Sequence, residues 1–261
     1  MFKLMQYELK GRYKYYIGVL IGILSLFLYI NLRLPSITNE GIILFTIVTT
    51  YILFIAIAMT SNVIFYSTDL FGNVFGNTGY LLFTLPLKGK KILGSKIILS
   101  ILEFILFLIS FTFLWYLTLL THNSLQLFMP VISTHKTLLM TVTMLVIVYY
   151  SFLIITAYFS MVLAKTIFYV KKYGILFFVF LFGVSYFITN KLYIFLSKLF
   201  PYYIDITGTS LTFTKIVEIN PTTSISFNIT NLNIAVIIFQ ILIIVTLFFT
   251  TSYLIDNKMN L

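Results

Sequence analysis

The stretch Ile97–Leu120, IILSILEFILFLISFTFLWYLTLL, decides the fold of this chain, because Glu103 is its only charged residue. At about 1.5 Å per residue, an α-helix of this length is longer than the roughly 30 Å hydrocarbon core of a bilayer. Backbone groups inside lipid must form their hydrogen bonds within a helix or a closed barrel. The stretch does not alternate between apolar and polar residues as a barrel strand would. It is therefore predicted to be a transmembrane helix.

The composition extends this prediction to the whole chain. Of its 261 residues 60% are hydrophobic and only 9% are charged, whereas soluble domains carry about 25% charged residues. There is no cysteine, which excludes disulfides and cysteine-ligated metals. We predict an all-α membrane protein that forms one transmembrane domain over residues 1–261. The apolar runs predict six spans, at residues 15–34, 41–65, 97–120, 138–163, 174–196 and 232–255.

The distribution of lysine and arginine predicts the orientation of these spans. Twelve of the 17 basic residues fall at the termini and in the two loops on the same side as the termini, and five fall in the loops on the other side. Basic residues accumulate on the cytoplasmic side, so we predict that both termini are cytoplasmic. The first apolar run lacks a small-residue cleavage site, so we predict a retained span. The net charge of +10 fits this topology and attraction to anionic lipid.

Three segments outside the spans have their own predictions. Residues 2–16 place apolar and aromatic side chains on one helical stripe and lysines on another, which predicts an interfacial amphipathic helix. Residues 66–96 form the longest cytoplasmic loop. Residues 197–231 form the longest extracellular loop, in which Ile225–Thr230 alternates like a strand, whereas Asn220-Pro221 is also compatible with the start of a short helix. These two alternatives stay open.

The loop before the third span contains GKKILGSK (Gly89–Lys96), which is close to the phosphate-binding pattern G-x-x-x-x-G-K-[ST]. In a phosphate-binding loop the lysine follows the second glycine directly, but here Ser95 follows Gly94. The stretch also precedes a membrane span, not the helix of a nucleotide-binding domain. We predict that the chain binds no ATP and is not an enzyme, and that its lysines anchor the third span at the headgroups. We also predict no metal site, because His122 and His135 have no third ligand.

The surroundings of this stretch resemble a known family. YLLFTLPLKGKKILGSK (Tyr80–Lys96) is similar to the segment of type-2 ABC exporter permeases in which an apolar stretch ends in Leu-Pro, basic residues follow and the third span begins. The N-terminal LMQYELK (Leu4–Lys10) and the layout of six spans also resemble these permeases. The small bacterial peptide and antibiotic exporters, of the phenol-soluble-modulin or lantibiotic-immunity type, are the most similar.

The resemblance implies a permease subunit in the bacterial cell membrane that exports amphipathic peptides or hydrophobic antimicrobials. It implies three partners: a separate cytoplasmic ATPase, which binds ATP and magnesium, a second permease chain, and lipid. No cofactor would bind to this chain itself. A coupling helix within residues 71–85 would dock into the ATPase. The expected ATPase-coupling residues are Asp69, Phe71, Phe75, Tyr80, Leu82 and Phe83.

Two further features are candidates for function. Glu103 is the only acidic residue within a predicted span, which makes it a candidate for the substrate pathway or a gate, or alternatively for a lysine-paired anchor with Lys165 or Lys171. Gly18 and Gly22 have the spacing of close helix packing, within the chain or between two chains. The alternative function is a membrane sensor or accessory subunit without transport. An intramembrane enzyme is disfavoured, since the spans carry one acidic residue and no histidine or cysteine.

Overall fold

The structure is a computed structural model that describes residues 6, 9–10, 13–33, 49–50, 53–66, 88–121, 136–167, 171–207, 210–215 and 231–258. Nearly all of these residues are helical. In chain order, the elements are α1 (Tyr13–Arg33), α2 (Leu53–Tyr66), α3 (Gly89–Thr121), α4 (Lys136–Ile167), α5 (Lys171–Leu199), β1 (Tyr202–Thr207), β2 (Ser210–Lys215), β3 (Asn231–Asn233) and α6 (Ile234–Lys258).

Four of the helices in the described ranges are long and apolar enough to cross a membrane. The stretches concerned are Gly89–Thr118, Met140–Ile167, Leu176–Leu199 and Ile234–Asn257. They contain four of the six predicted spans almost completely, so the chain is a membrane-embedded, largely helical protein. The count of six spans and the orientation of the termini stay predictions. Part of the predicted second span, residues 41–48 and 51–52, lies outside the described residues.

Helix α3 shows how an apolar helix divides into two faces. Side chains such as Leu93, Phe104 and Phe107 are buried against protein, whereas Leu102, Leu106 and Phe113 are exposed. Both faces are apolar, so the exposed one is suited to lipid and not to water. The apolar sequence of α3 therefore predicts a membrane helix, but not which of its faces packs against other helices.

Helix α3 begins eight residues before the span predicted to start at Ile97, because Gly89 and the residues after it are already helical. Pro86 limits extension of the helix towards the N-terminus, and the Lys, Ile and Leu residues that follow Gly89 are compatible with helix. Lys96 is only 1% exposed. The prediction that this lysine anchors the span at the headgroups is therefore wrong: it lies two turns inside the helix, on the face that packs against protein.

The chain divides into two compact units. Unit 1 comprises Met1–Asp69 and Lys91–Met129, and therefore α1, α2 and α3 from its third residue onward. Unit 2 comprises Leu70–Lys90 and Pro130–Leu261. In unit 2, α4 packs against both α5 and α6, and the sheet contacts α4 and α6. The first two residues of α3, Gly89 and Lys90, belong to unit 2.

The three strands form an antiparallel sheet in the order β2-β1-β3. Tyr202 pairs with Lys215 at one end of the hairpin, and Thr207 pairs with Ser210 at the other. The description all-α was therefore too narrow, because the extracellular loop predicted at residues 197–231 contributes strands. The predicted strand at 225–230 and the helix start at Asn220 both lie outside the described residues.

The predicted interfacial helix over residues 2–16 is described only in part. Gln6, Leu9 and Lys10 are helical and exposed. Tyr13 is the first residue of α1, so the end of the predicted segment belongs to the same helix as the first predicted span. The remaining residues of the segment lie outside the described residues.

Candidate functional site

Four polar side chains of unit 1 meet where α1 contacts α2 and α3. Glu103 on α3 is 1% exposed, and Asn62 on α2 is fully buried. Two consecutive residues of α1 reach them: the hydroxyl of Tyr16 donates a hydrogen bond to Oε1 of Glu103, and the hydroxyl of Tyr15 donates to Oδ1 of Asn62 over 2.8 Å. These four residues are named the tyrosine bracket below. They hold α1 to each of the other two helices of the unit.

Aromatic rings surround the tyrosine bracket. The ring of Tyr15 stacks on Phe65 with a centroid distance of 4.0 Å and an interplanar angle of 13°. Phe107, one turn after Glu103, lies 6.2 Å from the ring of Tyr15 and 6.4 Å from that of Tyr16. Within the described residues, Nδ2 of Asn62 has no hydrogen-bond partner although it is buried. A carboxyl and a carboxamide buried among apolar helices are expensive to keep, which makes the cluster a candidate for function.

The predicted candidate Glu103 thus lies in contact with α1. Lys96, seven residues earlier on α3, is equally buried, and seven residues bring a side chain back to within about 20° of the same direction on a helix. One face of α3 therefore carries both a buried carboxyl and a buried ammonium group. Neutralisation of Glu103 by Lys165 or Lys171 stays a prediction.

The two glycines predicted to pack closely line a groove between α1 and α2. The groove has a volume of about 490 Å³, and Tyr15, Phe54, Ala58 and Ser61 contribute to its walls. A Cβ added at Gly18 or at Gly22 would meet no other atom within 4 Å. The small residues therefore open a space beside α1 in a single copy of the chain.

A second polar cluster lies in unit 2, between α4 and α5. The hydroxyls of Tyr149 and Tyr186 are 3.1 Å apart. The ring of Tyr193 packs edge-on against Phe239 of α6, and its buried hydroxyl has no partner among the described residues. Tyr149 and Tyr186 lie nine and ten residues from the ends of their apolar stretches, or about 15 Å, which is near the middle of a bilayer core. The phenol groups therefore place hydrogen-bonding capacity inside an otherwise apolar pair of helices.

The predicted ATPase-coupling residues Asp69, Phe71, Phe75, Tyr80, Leu82 and Phe83 lie outside the described residues, as do His122 and His135. What the structure does describe is the end of that loop, where the backbone N–H of Gly89 donates to Oδ1 of Asp256 on α6 over 2.5 Å.

Besides the three tyrosines of the second cluster, four residues of these sites were missed in the sequence. Asn62 had a usable signal, because a carboxamide inside an apolar run is rarely without a partner. Tyr16 was placed on the interfacial stripe, Tyr15 among the residues of the first span, and Asp256 just beyond the last span. Their contacts are with residues 47, 87 and 167 positions away along the chain, and such pairings have no local signal.

Comparison of the chain with models of protein families, with curated proteins and with solved structures found no match in any of the three.

Proposed function

We propose that this chain is the membrane permease subunit of an ATP-driven exporter of the type-2 ABC kind. In this proposal it moves amphipathic peptides or hydrophobic antimicrobials out of a bacterial cell, and a separate cytoplasmic ATPase supplies the energy. A second permease chain completes the pathway. The membrane-embedded helices and the sequence Tyr80–Lys96 support this proposal.

One observation carries the proposal. The segment that ends in Leu85-Pro86 is followed almost at once by helix, which begins at Gly89, and Gly89 is hydrogen-bonded to α6. The loop is thus joined to two helices at its end, with only Leu87 and Lys88 between the proline and α3. A connection of so few residues is what a loop needs if work done on it is to reach the membrane helices.

The buried polar groups support transport over hydrolysis. Glu103 is hydrogen-bonded to Tyr16, and its neighbours on α3 and α1 are aromatic rings. Hydrolytic chemistry needs a base within reach of a nucleophile or water, with a third group to orient it. The tyrosine bracket instead joins three helices through one carboxyl and one carboxamide, an arrangement that a change of helix packing would open or close.

The coupling loop provides the test of partnership with an ATPase. Aromatic anchors in an interface each contribute about 2 kcal/mol or more to binding. Replacing Phe71, Phe75 and Tyr80 by Ala is therefore expected to release the proposed partner ATPase in a pull-down, while membrane insertion stays intact. The matched control replaces Phe187, Phe195 and Tyr202, which are exposed aromatic residues elsewhere in the chain, by Ala. Full ATPase binding and stimulated hydrolysis by the loop variant would remove the loop from the proposal.

The proposed role of Glu103 has its own test. We expect Glu103→Gln to lower resistance to an exported antimicrobial per inserted molecule while leaving the membrane yield largely unchanged. Because a glutamine still accepts a hydrogen bond from Tyr16, the helix contact survives and only the titratable carboxyl group is lost. A lower yield with unchanged specific activity would instead assign Glu103 to the anchoring of α3. If the ATPase binds but no substrate is moved, the accessory-subunit alternative is favoured.

A further inference from the structure

The first residue of α3 is held by a carboxylate from another helix. The N–H of Gly89 is one of the amides at a helix N-terminus that have no partner within their own helix. Asp256, in the last turn of α6, accepts this N–H at 2.5 Å. A carboxylate at this position also interacts favourably with the positive end of the helix dipole of α3. The cap of α3 is therefore supplied from a position 167 residues along the chain.

The fit around Gly89 leaves no room for a side chain. A Cβ at this position would lie 2.8 Å from the backbone oxygen of Ser252, 3.0 Å from Oδ1 of Asp256 and 3.0 Å from Cγ2 of Ile255. The backbone oxygen belongs to a helix and has no freedom to move away. Only glycine brings the start of α3 this close to α6.

The next residue makes a second contact with the same helix. Nζ of Lys90 lies 4.9 Å from the centroid of the Phe249 ring, a cation–π distance. Phe249, Ser252 and Asp256 are three and four residues apart, so they share one face of α6. Gly89 and Lys90 thus contact a single face of α6. Gly89 makes the hydrogen bond and the close backbone approach, and Lys90 makes the ring contact.

Nothing in α6 itself favours an acidic residue at position 256. A negative charge in the last turn of a helix lies at the negative end of that helix's own dipole, which is unfavourable. The contact with the N-terminus of α3 offsets this cost. The acidic residue at position 256 is therefore explained by its hydrogen bond to Gly89, and not by the stability of α6 alone.

We infer that Asp256 is a positioning residue that fixes the N-terminus of α3 on α6, so that movement of this N-terminus is passed directly to α6. The inference rests on the proposed function insofar as the loop is the segment on which an ATPase acts. The contact between Gly89 and Asp256, and the face of α6 that carries it, are independent of that function. Asp256 touches no substrate, and it acts through α6.

The contact is tested first on the purified chain without any ATPase, by hydrogen–deuterium exchange of peptides that contain the Gly89 amide. A hydrogen bond to a charged acceptor slows exchange of its amide, and its loss is expected to accelerate exchange about tenfold. Asp256→Ala is expected to show this acceleration, and Asp256→Asn, which keeps an acceptor oxygen, a smaller one. The matched control is Asn257→Ala, whose side chain, among the described residues, bonds to Tyr253 of its own helix. Equal exchange in Asp256→Ala and Asn257→Ala would overturn the inference.

The transmitting role is tested with the ATPase present. Asp256→Ala is expected to bind the ATPase as the unaltered chain does but to export several-fold less substrate per inserted molecule, with Asp256→Asn in between. Unchanged export in Asp256→Ala, alongside accelerated exchange at Gly89, would show that the contact exists but transmits nothing. If the unaltered chain binds no ATPase, the proposed function and the transmitting role both fail, while the exchange measurement still decides the contact.

Discussion

The two units of this protein hold their helices together in different ways. In unit 1, side chains bond to side chains: Tyr15 to Asn62 and Tyr16 to Glu103, with both acceptors buried in apolar surroundings. In unit 2, the hydroxyls of Tyr149 and Tyr186 make one side-chain contact between α4 and α5, but the polar side chains at the two ends of α6 bond to backbone groups, Asn233 to Phe200 and Asp256 to Gly89. Buried side-chain pairs specify which helices meet and in which register. End contacts complete the backbone hydrogen bonds that every helix leaves open.

The largest difference is expected in the accessibility of the two ends of α6 to a reagent outside the cell. If the sheet is extracellular and Asp256 is cytoplasmic, a cysteine at Tyr202 is labelled by a membrane-impermeant maleimide in intact cells, whereas one at Asn257 is labelled only after permeabilisation. Tyr202 is 52% exposed and Asn257 is also exposed, so both are accessible to the reagent. The chain has no native cysteine to interfere. Labelling of both positions from the same side would contradict the predicted topology.

The sheet end of α6 is expected to matter most for stability. Asn233 is 8% exposed; its Nδ2 donates to the backbone oxygen of Phe200 over 2.8 Å, and its Oδ1 caps α6 by accepting the N–H of Val236 over 3.1 Å. Asn233→Ala removes both bonds, so we expect the free energy of unfolding to fall by about 1–2 kcal/mol. Thermal unfolding in detergent measures this loss. Thr246→Ala, an exposed position with a local bond only, is the control, and an equal loss there would contradict the end-contact interpretation.

Each hydrogen bond of the tyrosine bracket in unit 1 is expected to contribute less to the free energy of unfolding than the two bonds of Asn233 together. Hydrogen bonds between membrane helices contribute about 0.6 kcal/mol on average and about 1.7 kcal/mol at most. Tyr16→Phe is expected near the upper value, because its acceptor is a carboxyl group, and Tyr15→Phe near the average. The two variants differ by one atom each and by one position in the chain, so they control for each other. A greater loss from Tyr15→Phe in the same unfolding assay would reverse the ranking of the two contacts.

The smallest change in stability is expected from a substitution at Gly22. Alanine there meets no atom within 4 Å, so we expect stability to change by less than about 0.5 kcal/mol. Gly89→Ala is the informative counterpart, because its Cβ would press on the backbone of Ser252. If Gly22→Ala instead weakens self-association, measured by cross-linking in membranes, the groove beside α1 would be the binding site of a second chain.

The apolar runs of the sequence predicted the membrane helices well, because burial in lipid requires long uninterrupted apolar stretches. The predicted runs at 138–163 and 174–196 lie inside α4 and α5. The same rule does not predict where α3 begins, since Gly89 to Lys96 is polar enough to read as loop. The contact of Gly89 with Asp256 and the burial of Lys96 accompany this helical start, and neither has a local signal in the sequence.

The candidate site was predictable only in its parts. Glu103 stood out because a single acidic residue in an apolar run is conspicuous, but its partner Tyr16 resembled any aromatic residue at a membrane surface. The sheet was missed because β1 and β2 are short and the loop around them is rich in threonine and serine. The partner of Glu103, the role of Tyr16 and the sheet all depend on contacts between residues far apart in the chain. Such contacts cannot be read from a single sequence.

The most direct test of the central claim is transport in proteoliposomes that contain the chain and its ATPase. With a fluorescently labelled amphipathic peptide as substrate, we predict movement that requires ATP hydrolysis, and loss of that movement when Phe71, Phe75 and Tyr80 are replaced by Ala. The variant with Phe187, Phe195 and Tyr202 replaced is predicted to transport as the unaltered chain does. Peptide movement that is independent of ATP, or equal in the loop variant and the control, would contradict the assignment of this chain as an ATPase-driven export permease.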